Sequence, residues 1–155
     1  MLGSQGLHEA LLVQFVAVPA VYAAGTYNNG ATGTVTNGVD TRLFEEALIE
    51  LNVGAVAAAH TLDVSVWQND TNTSSGATAV TDKDGTAQAF SQVVDGGNES
   101  VTLVGRIQCK NTKRYLFIKA VVVGASGIAH SINVILGKSD KEPVSQNIAV
   151  AFKHL

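Results

Sequence analysis

The chain has 155 residues, a formal net charge of −3, 46% hydrophobic residues and only 15% charged ones. That length suits one domain able to bury a core without metal or disulfide support. The mild negative charge gives no pull toward a phosphate backbone or anionic lipid, so neither nucleic acid nor membrane is expected as a partner.

Charged residues fall well below the roughly 25% of an average soluble domain. Two readings of that deficit stay open: a compact surface dressed in Ser, Thr, Asn and Gln, or apolar surface covered by neighbours. With one cysteine, Cys109, no intrachain disulfide can form, which suits a reducing cytosol. Residues 11–24 are apolar, but no Lys or Arg precedes them and Gln14 and Pro19 interrupt them. Neither a secretory signal nor a membrane-spanning helix is expected there.

Residues 1–10 are polar and contain glycine, and form an N-terminal arm before the first apolar run. Strands are predicted at 11–22 and 32–39 from Val, Thr and aromatic runs bounded by Gly and Asn. Ala47, Ile49, Leu51 and Val53 alternate with Glu46, Leu48, Glu50 and Asn52, predicting a half-buried strand closed by Gly54. Its beginning, from Asp40 to Glu46, also fits a capped helix start; the alternation through Asn52 favours the strand. Leu62, Val64 and Val66 oppose Asp63, Ser65 and Trp67 in the clearest alternation of the chain.

Residues 69–86 have no apolar period and read as an exposed loop, followed by a short strand at 88–94. Val101, Leu103 and Ile107 line one face of the next strand, and 115–123 is apolar on both faces except Lys119, as in a central strand. Further strands are expected at 130–136 and 147–152, with 138–155 forming a C-terminal tail. Asn29-Gly30, Asn37-Gly38, Asp84-Gly85, Asp95-Gly96 and Ser126-Gly127 supply residues that tolerate positive φ at tight connections. Pro19 and Pro143 mark an edge or a chain turn. The sum is an all-β, antiparallel, jelly-roll-like sandwich of about eight or nine strands in one domain, residues 1–155, with extended arms at both ends.

Motifs for chemistry are weak. Asp82-Lys83-Asp84-Gly85 starts like a calcium loop, but Ala87 and Val93 stand where its glycine and bidentate glutamate belong, so a β-turn is expected. His8, His60, His130 and His154 lack the close pairing of zinc sites. Glu45 or Glu46 with Asp63 would need a cleft to act as paired acids. Cys109 would need a base and an orienting group beside it. Three Asn-x-Ser/Thr sites, at Asn69, Asn72 and Asn98, matter only in a secretory setting. No catalytic residue, metal or cofactor is expected, and an enzyme ranks last.

The run from Val39 to Gly54, then Thr61 to Trp67, Val104-Gly105-Arg106-Ile107, Lys113 to Leu116 and Val134-Ile135-Leu136-Gly137, resembles the capsid decoration, or cement, proteins of tailed bacteriophages. The resemblance covers roughly residues 35–137 and rests on strand patterns. It implies a virion protein made in the host bacterial cytoplasm. Such a protein sits on the outer capsid surface, bridges major capsid protein subunits and associates with copies of itself as a dimer or trimer. No individual residue role transfers with it. Leu7, Leu11, Leu12, Phe15 and Phe152, in or near the two arms, are the candidate intersubunit contacts, and Lys110, Lys113, Arg114 and Arg106 form the one basic cluster. Two alternatives remain: a glycan- or receptor-binding sandwich using Trp67 and the 69–86 loop, and a tail or head-completion protein.

Overall fold

The computed structural model describes residues 11–139. Eleven strands run along them: β1 (Leu11–Tyr22), β2 (Gly25–Asn28), β3 (Ala31–Thr32), β4 (Val39–Asp40), β5 (Phe44–Val53), β6 (Thr61–Asn69), β7 (Thr78–Ala79), β8 (Val93–Val94), β9 (Thr102–Gln108), β10 (Tyr115–Val123) and β11 (Ile128–Ser139). A single 3₁₀ turn, Cys109–Asn111, joins β9 to β10. One sheet has the order β1-β11-β5-β9. The other runs β3-β2-β10-β6-β7, with β4 also on β10 and β8 on β6, and every pairing is antiparallel. The first long strand pairs with the last, and from β5 onward the long strands β5, β6, β9, β10 and β11 alternate between sheets. That is the order of a jelly roll, as the sequence led us to expect.

The core lies between the sheets. From β5 it takes Ala47, Ile49, Leu51 and Val53; from β6, Leu62, Val64 and Val66; from β11, Ile128, Ile132, Val134 and Leu136. These are the period-two sets of the sequence, and burying each large aliphatic contributes about 1.5–3 kcal/mol. The stretch 40–46 forms no helix among the described residues. Asp40 Oδ1 accepts the N–H of Arg42 at 3.1 Å, and Phe44 N–H closes a turn onto the Thr41 carbonyl. The cap-like chemistry of Asp40 therefore makes an Asx turn leading into a strand.

Strand β10 is central. β6 pairs with it over its full length on one edge, while β2 covers only Lys119 to Val122 and β4 only Tyr115 and Leu116 on the other. Asn29 fills the gap at Ile118. Its backbone N–H donates to the Ile118 carbonyl at 2.9 Å, and its side-chain Oδ1 accepts the Ile118 N–H at 2.7 Å. Its Nδ2 donates to the Asn37 carbonyl at 2.8 Å. Asn29 has φ +47° and Gly30 +76°, which makes the β2–β3 hairpin a tight left-handed turn. A Cβ on Gly30 would lie 2.8 Å from the Val16 carbonyl oxygen, so this turn packs directly on β1 and closes that side of the sandwich.

Several sequence expectations are corrected. The expected strand at 32–39 is two short pieces, β3 and β4, because residues 33–38 leave the sheet and fold over its outer face. There Val35 is buried and its N–H donates to Ser74 Oγ at 2.9 Å, while Gly38 N–H donates to Asn72 Oδ1 at 2.8 Å. Gly38 has no positive φ; it is needed because a Cβ would sit 2.7 Å from Phe117 Cζ. The stretch 69–86 is not simply an exposed loop: its first part helps cover Phe117, it contains β7, and Val80 is buried. The expected strand at 88–94 is regular only at β8, with one bridge from Ala89 to Ser65. At the 126–127 turn the positive φ belongs to Gly124, not Gly127. Val101 is 39% exposed and precedes β9. Ser139 pairs with Phe44, so β11 reaches into what the sequence assigned to the C-terminal tail. The expected strand at 147–152 lies outside the described residues.

Replacing Asn29 by Ala removes two side-chain hydrogen bonds and leaves the buried Ile118 N–H without its acceptor. The expected loss is about 2 kcal/mol or more, read as a lower urea midpoint with unchanged m-value, and Asn29→Asp, which keeps the acceptor, should lose less.

Candidate functional site

The two outer faces of the sandwich differ. On the seven-stranded sheet, Phe117 is fully buried beneath residues 33–38 and 69–75. Trp67, directly opposite it, is half-buried, its Nε1–H donates to Ser65 Oγ at 3.0 Å, and Lys119 Nζ stands 4.6 Å from the ring centroid. The ring face proposed for a sugar is thus taken by a cation of the same sheet.

The four-stranded sheet carries no such cover among the described residues. Its register places Val13, Ile135, Leu48 and Arg106 in one row across all four strands, and Phe15, Asn133, Glu50 and Val104 in the next. Phe15 is 62% exposed, Val104 57%, Val13 49% and Leu48 37%. Large apolar side chains so open and so close together are unusual on a solitary domain, and they form the candidate interaction surface.

Polar groups frame it. Glu46 accepts from Lys138 Nζ at 2.6 Å and from Arg106, and these bonds, Lys138 first, hold its carboxyl below the usual carboxylate range. Asn133 donates to Glu50 Oε2 at 2.9 Å, while its own Oδ1 is buried without a partner among the described residues.

Of the sequence candidates, Phe15 projects from this face. Leu11 is half-buried at the start of β1, and Leu12 is turned inward and packs against the chain's own core. Leu7 and Phe152 lie outside the described residues. Sequence reasoning missed Val13, Leu48, Val104 and Ile135. The signal was present in the period-two positions opposite the buried sets, but nothing in the sequence said that β9 lies beside β5.

The basic cluster is largely spent internally. Arg114 grips Asp40, Nη2 to Oδ2 at 2.7 Å, which lowers the Asp40 carboxyl; it also lies 4.8 Å from the Tyr115 ring centroid. Arg106 is taken by Glu46, and Lys113 stands 3.8 Å from Asp70.

The other chemical candidates are not brought together. Cys109 is buried, and burial, helped by the Glu46 charge, pushes its thiol up to about 11, so thiolate is scarce at neutral pH. Glu46 and Asp63 project from opposite outer faces, in β5 and β6, with Asp63 accepting from Gln92 at 2.9 Å. Asp82 Oδ1 accepts the N–H groups of Asp84 and Thr86, each at 2.9 Å, and Gly85 has φ +84°, which is the expected turn. No cluster of three metal-binding side chains occurs among the described residues. His60 Nε2 accepts the Ser126 N–H at 2.9 Å, locking a turn just before β6. His8 and His154 lie outside the described residues. Asn69 uses its amide on the carbonyls of Thr73 and Ser75, and Asn72 on Gly38, so both serve the loop.

His130 is buried in β11, its ring 4.3 Å from that of Tyr22. Nδ1 lies 3.2 Å from the Ile128 carbonyl, and Nε2 has no partner among the described residues.

No family model matches the chain, and no curated protein matches it. Among solved structures, the crystal structure of the infectious bursal disease virus VP2 subviral particle is similar at 10% identity with a TM-score of 0.49. The match covers 83% of this chain and 32% of that one. The jelly-roll assignment rests on this chain's own strand order, and a shared fold does not fix a role.

Burial lowers the His130 pKa from its ordinary value, so the unfolded chain takes up the proton more readily than the folded one. Stability is then full above about pH 6.5 and falls as the pH drops below it, by at most about 1.4 kcal/mol per pH unit. Urea midpoints from pH 7.5 to 5.5 should fall for the wild type, and His130→Phe, which keeps a ring on Tyr22, should flatten that slope.

Proposed function

We propose that the protein is a capsid decoration (cement) protein of a tailed bacteriophage, a structural virion component that binds the outer surface of the head and stabilises contacts between major capsid protein subunits. One observation carries this reading: among the described residues, loops cover one outer face of the sandwich and none covers the other, on which Val13, Phe15, Leu48 and Val104 are exposed. The strand patterns resembling that family supply the identity of the partner. The scarcity of charge, 15% of residues, accords with a surface that is covered in the assembled particle.

The mechanism is mass action. A subunit that binds only the assembled shell stabilises that shell by the free energy of its own binding, about 2.7 kcal/mol when present at a hundred times its dissociation constant. An interface of ordinary size needs roughly 800 Å² from each partner. The hydrophobic rows would form its centre, and Glu46, Arg106 and Lys138 its polar rim.

The double variant Phe15→Asp/Val104→Lys should fold as the wild type does, because both side chains are more than half exposed. Its melting temperature should move by no more than about 4 °C, since surface changes stay within about 0.5 kcal/mol each. Sedimentation with purified capsids should show that the variant no longer co-purifies; full retention would reject this face as the contact.

A further inference from the structure

We infer that two copies of this chain pair edge to edge through β9, antiparallel about a two-fold axis at Gly105, which joins their four-stranded sheets into one continuous sheet. The inference does not depend on the capsid reading. Residues opposite one another in an antiparallel pair project to the same side, so the open faces of both copies lie on one side of the joined sheet.

The first support is the state of the edge. Val53 N–H donates to the Val101 carbonyl at 3.0 Å, in register with the β5–β9 ladder, so the hydrogen-bonded pairs continue as Leu51–Leu103, Ile49–Gly105 and Ala47–Ile107. The N–H and C=O groups of Thr102, Val104, Arg106 and Gln108 therefore point away from β5. Among the described residues no backbone group bonds to them. Unlike β1, the other edge of this sheet, β9 has no proline and no register shift to blunt it. β1 carries Pro19 and breaks its register twice, between Phe15 and Ala17 and between Ala17 and Ala20. An unblunted edge is a template for another strand.

The second support is that this edge is complementary to itself. Outward-bonding residues must meet outward-bonding residues, and an axis at Gly105 sets Val104 opposite Arg106 of the second copy and Thr102 opposite Gln108 of the second copy. All four outward residues of each copy then enter hydrogen-bonded pairs, at two bonds per pair. An axis at Val104 or at Arg106 leaves one pair fewer, and the latter also sets Arg106 against its own copy, a like-charge pair. At the axis Gly105 faces Gly105 in a non-hydrogen-bonded pair, the closer kind, with Cα atoms about 4.5 Å apart. Neither copy carries a side chain there. Between β9 and residues 88–91 lies an apolar cleft of about 440 Å³, whose walls include Ile49, Val66, Phe90, Leu103 and Ile107. Its lining runs from Leu103 to Ile107 with Gly105 at the middle, so the clefts of the two copies face each other across the axis and each shields the other from water. On the opposite side of the sandwich the Asn29-Gly30 turn closes the corresponding opening by packing on Val16 and Ala17.

The third support is charge. β9 is preceded by Asp95 and Glu99 and followed by Lys110 and Lys113. Antiparallel pairing sets the acidic end of each copy beside the basic end of the other, and a parallel pairing would set like beside like. Lys110 is exposed, in the turn that ends β9, and so is free to meet that end. Opposite charges also approach on the joined face. There the row that holds Leu48 and Arg106 continues into Val104 and Glu50 of the second copy. Within one copy Glu46 already holds Lys138 as well as Arg106, whereas Glu50 accepts from the neutral amide of Asn133.

Sedimentation equilibrium, amide hydrogen exchange and isotope-filtered NOEs on the full chain test the inference. The wild type should form dimers, and the amides of Val104, Arg106 and Gln108 should gain protection in step with the dimer fraction. Mixed labelled and unlabelled protein should show Hα–Hα NOEs between Leu103 of one copy and Ile107 of the other. Val104→Pro removes an outward donor and no bond to β5, so it should raise the dimer dissociation constant at least about tenfold while the amides of Leu103, Gly105 and Ile107 stay slow, which shows that the domain still folds. Lys110→Glu should weaken the dimer as well, and less so at high salt. A wild type that stays monomeric up to millimolar concentration would overturn the inference without reference to any variant. Outward amides already protected in the monomer would overturn it too, since the chain would then cover this edge itself. A dimer without the Leu103–Ile107 NOEs, or one that Val104→Pro leaves intact, would overturn it in favour of another surface.

Discussion

The fold depends on supplying hydrogen bonds to both edges of β10. Leu116, Phe117 and Ile118 are fully buried or nearly so, on both faces of one strand, and their peptide groups have no access to water. Each unpaired group there would forfeit on the order of 1–3 kcal/mol. β6 satisfies one edge continuously. The other is assembled from three sources: β2, β4 and the side chain of Asn29 between them. The same Asn29-Gly30 turn seats on β1 and so ties the two sheets together along one side. A single buried polar residue thus joins the ladder of one sheet to the closure of the sandwich.

That closure is one-sided, and the asymmetry runs through the rest of the molecule. Along the β1–β2 side the sheets are held by close backbone contact. Along the β9 side they part into an apolar cleft. The outer faces differ in the same way: one is roofed by residues 33–38 and 69–75, which bury Phe117, and the other exposes Val13, Phe15, Leu48 and Val104. A domain that buried all its apolar surface by itself would roof both faces. Among the described residues this one leaves apolar area exposed on its second face, and covering that area would be favourable.

Several titratable groups among the described residues are shifted by identifiable contacts. Glu46 and Asp40 are lowered by cations bound to them, Glu99 by the backbone N–H groups of Val56 and Gly96, and Cys109 is raised by burial. Each of these shifts is explained by a structural contact, and none pairs with a second reactive group across a cleft. Asn133 is different: its buried acceptor has no partner among the described residues, and it lies in the same row as Phe15 and Val104.

The sequence alone determined the fold class and much of the core. Alternation at 47–53 and 62–66 and the doubly apolar run at 115–123 could be satisfied only by strands with one or two buried faces, because side-chain direction in a strand has a period of two. Asn29-Gly30, Gly85 and Gly96 marked their turns for the equally local reason that few residues tolerate positive φ. Tertiary structure decided what is not local: that Gly38 is demanded by Phe117, that Asp40 turns the chain toward Arg114, and that Val13, Leu48 and Val104, distant in the chain, lie on one face. Such placements depend on strand order and register, which arise from pairings between residues tens of positions apart and leave no periodic trace in either partner.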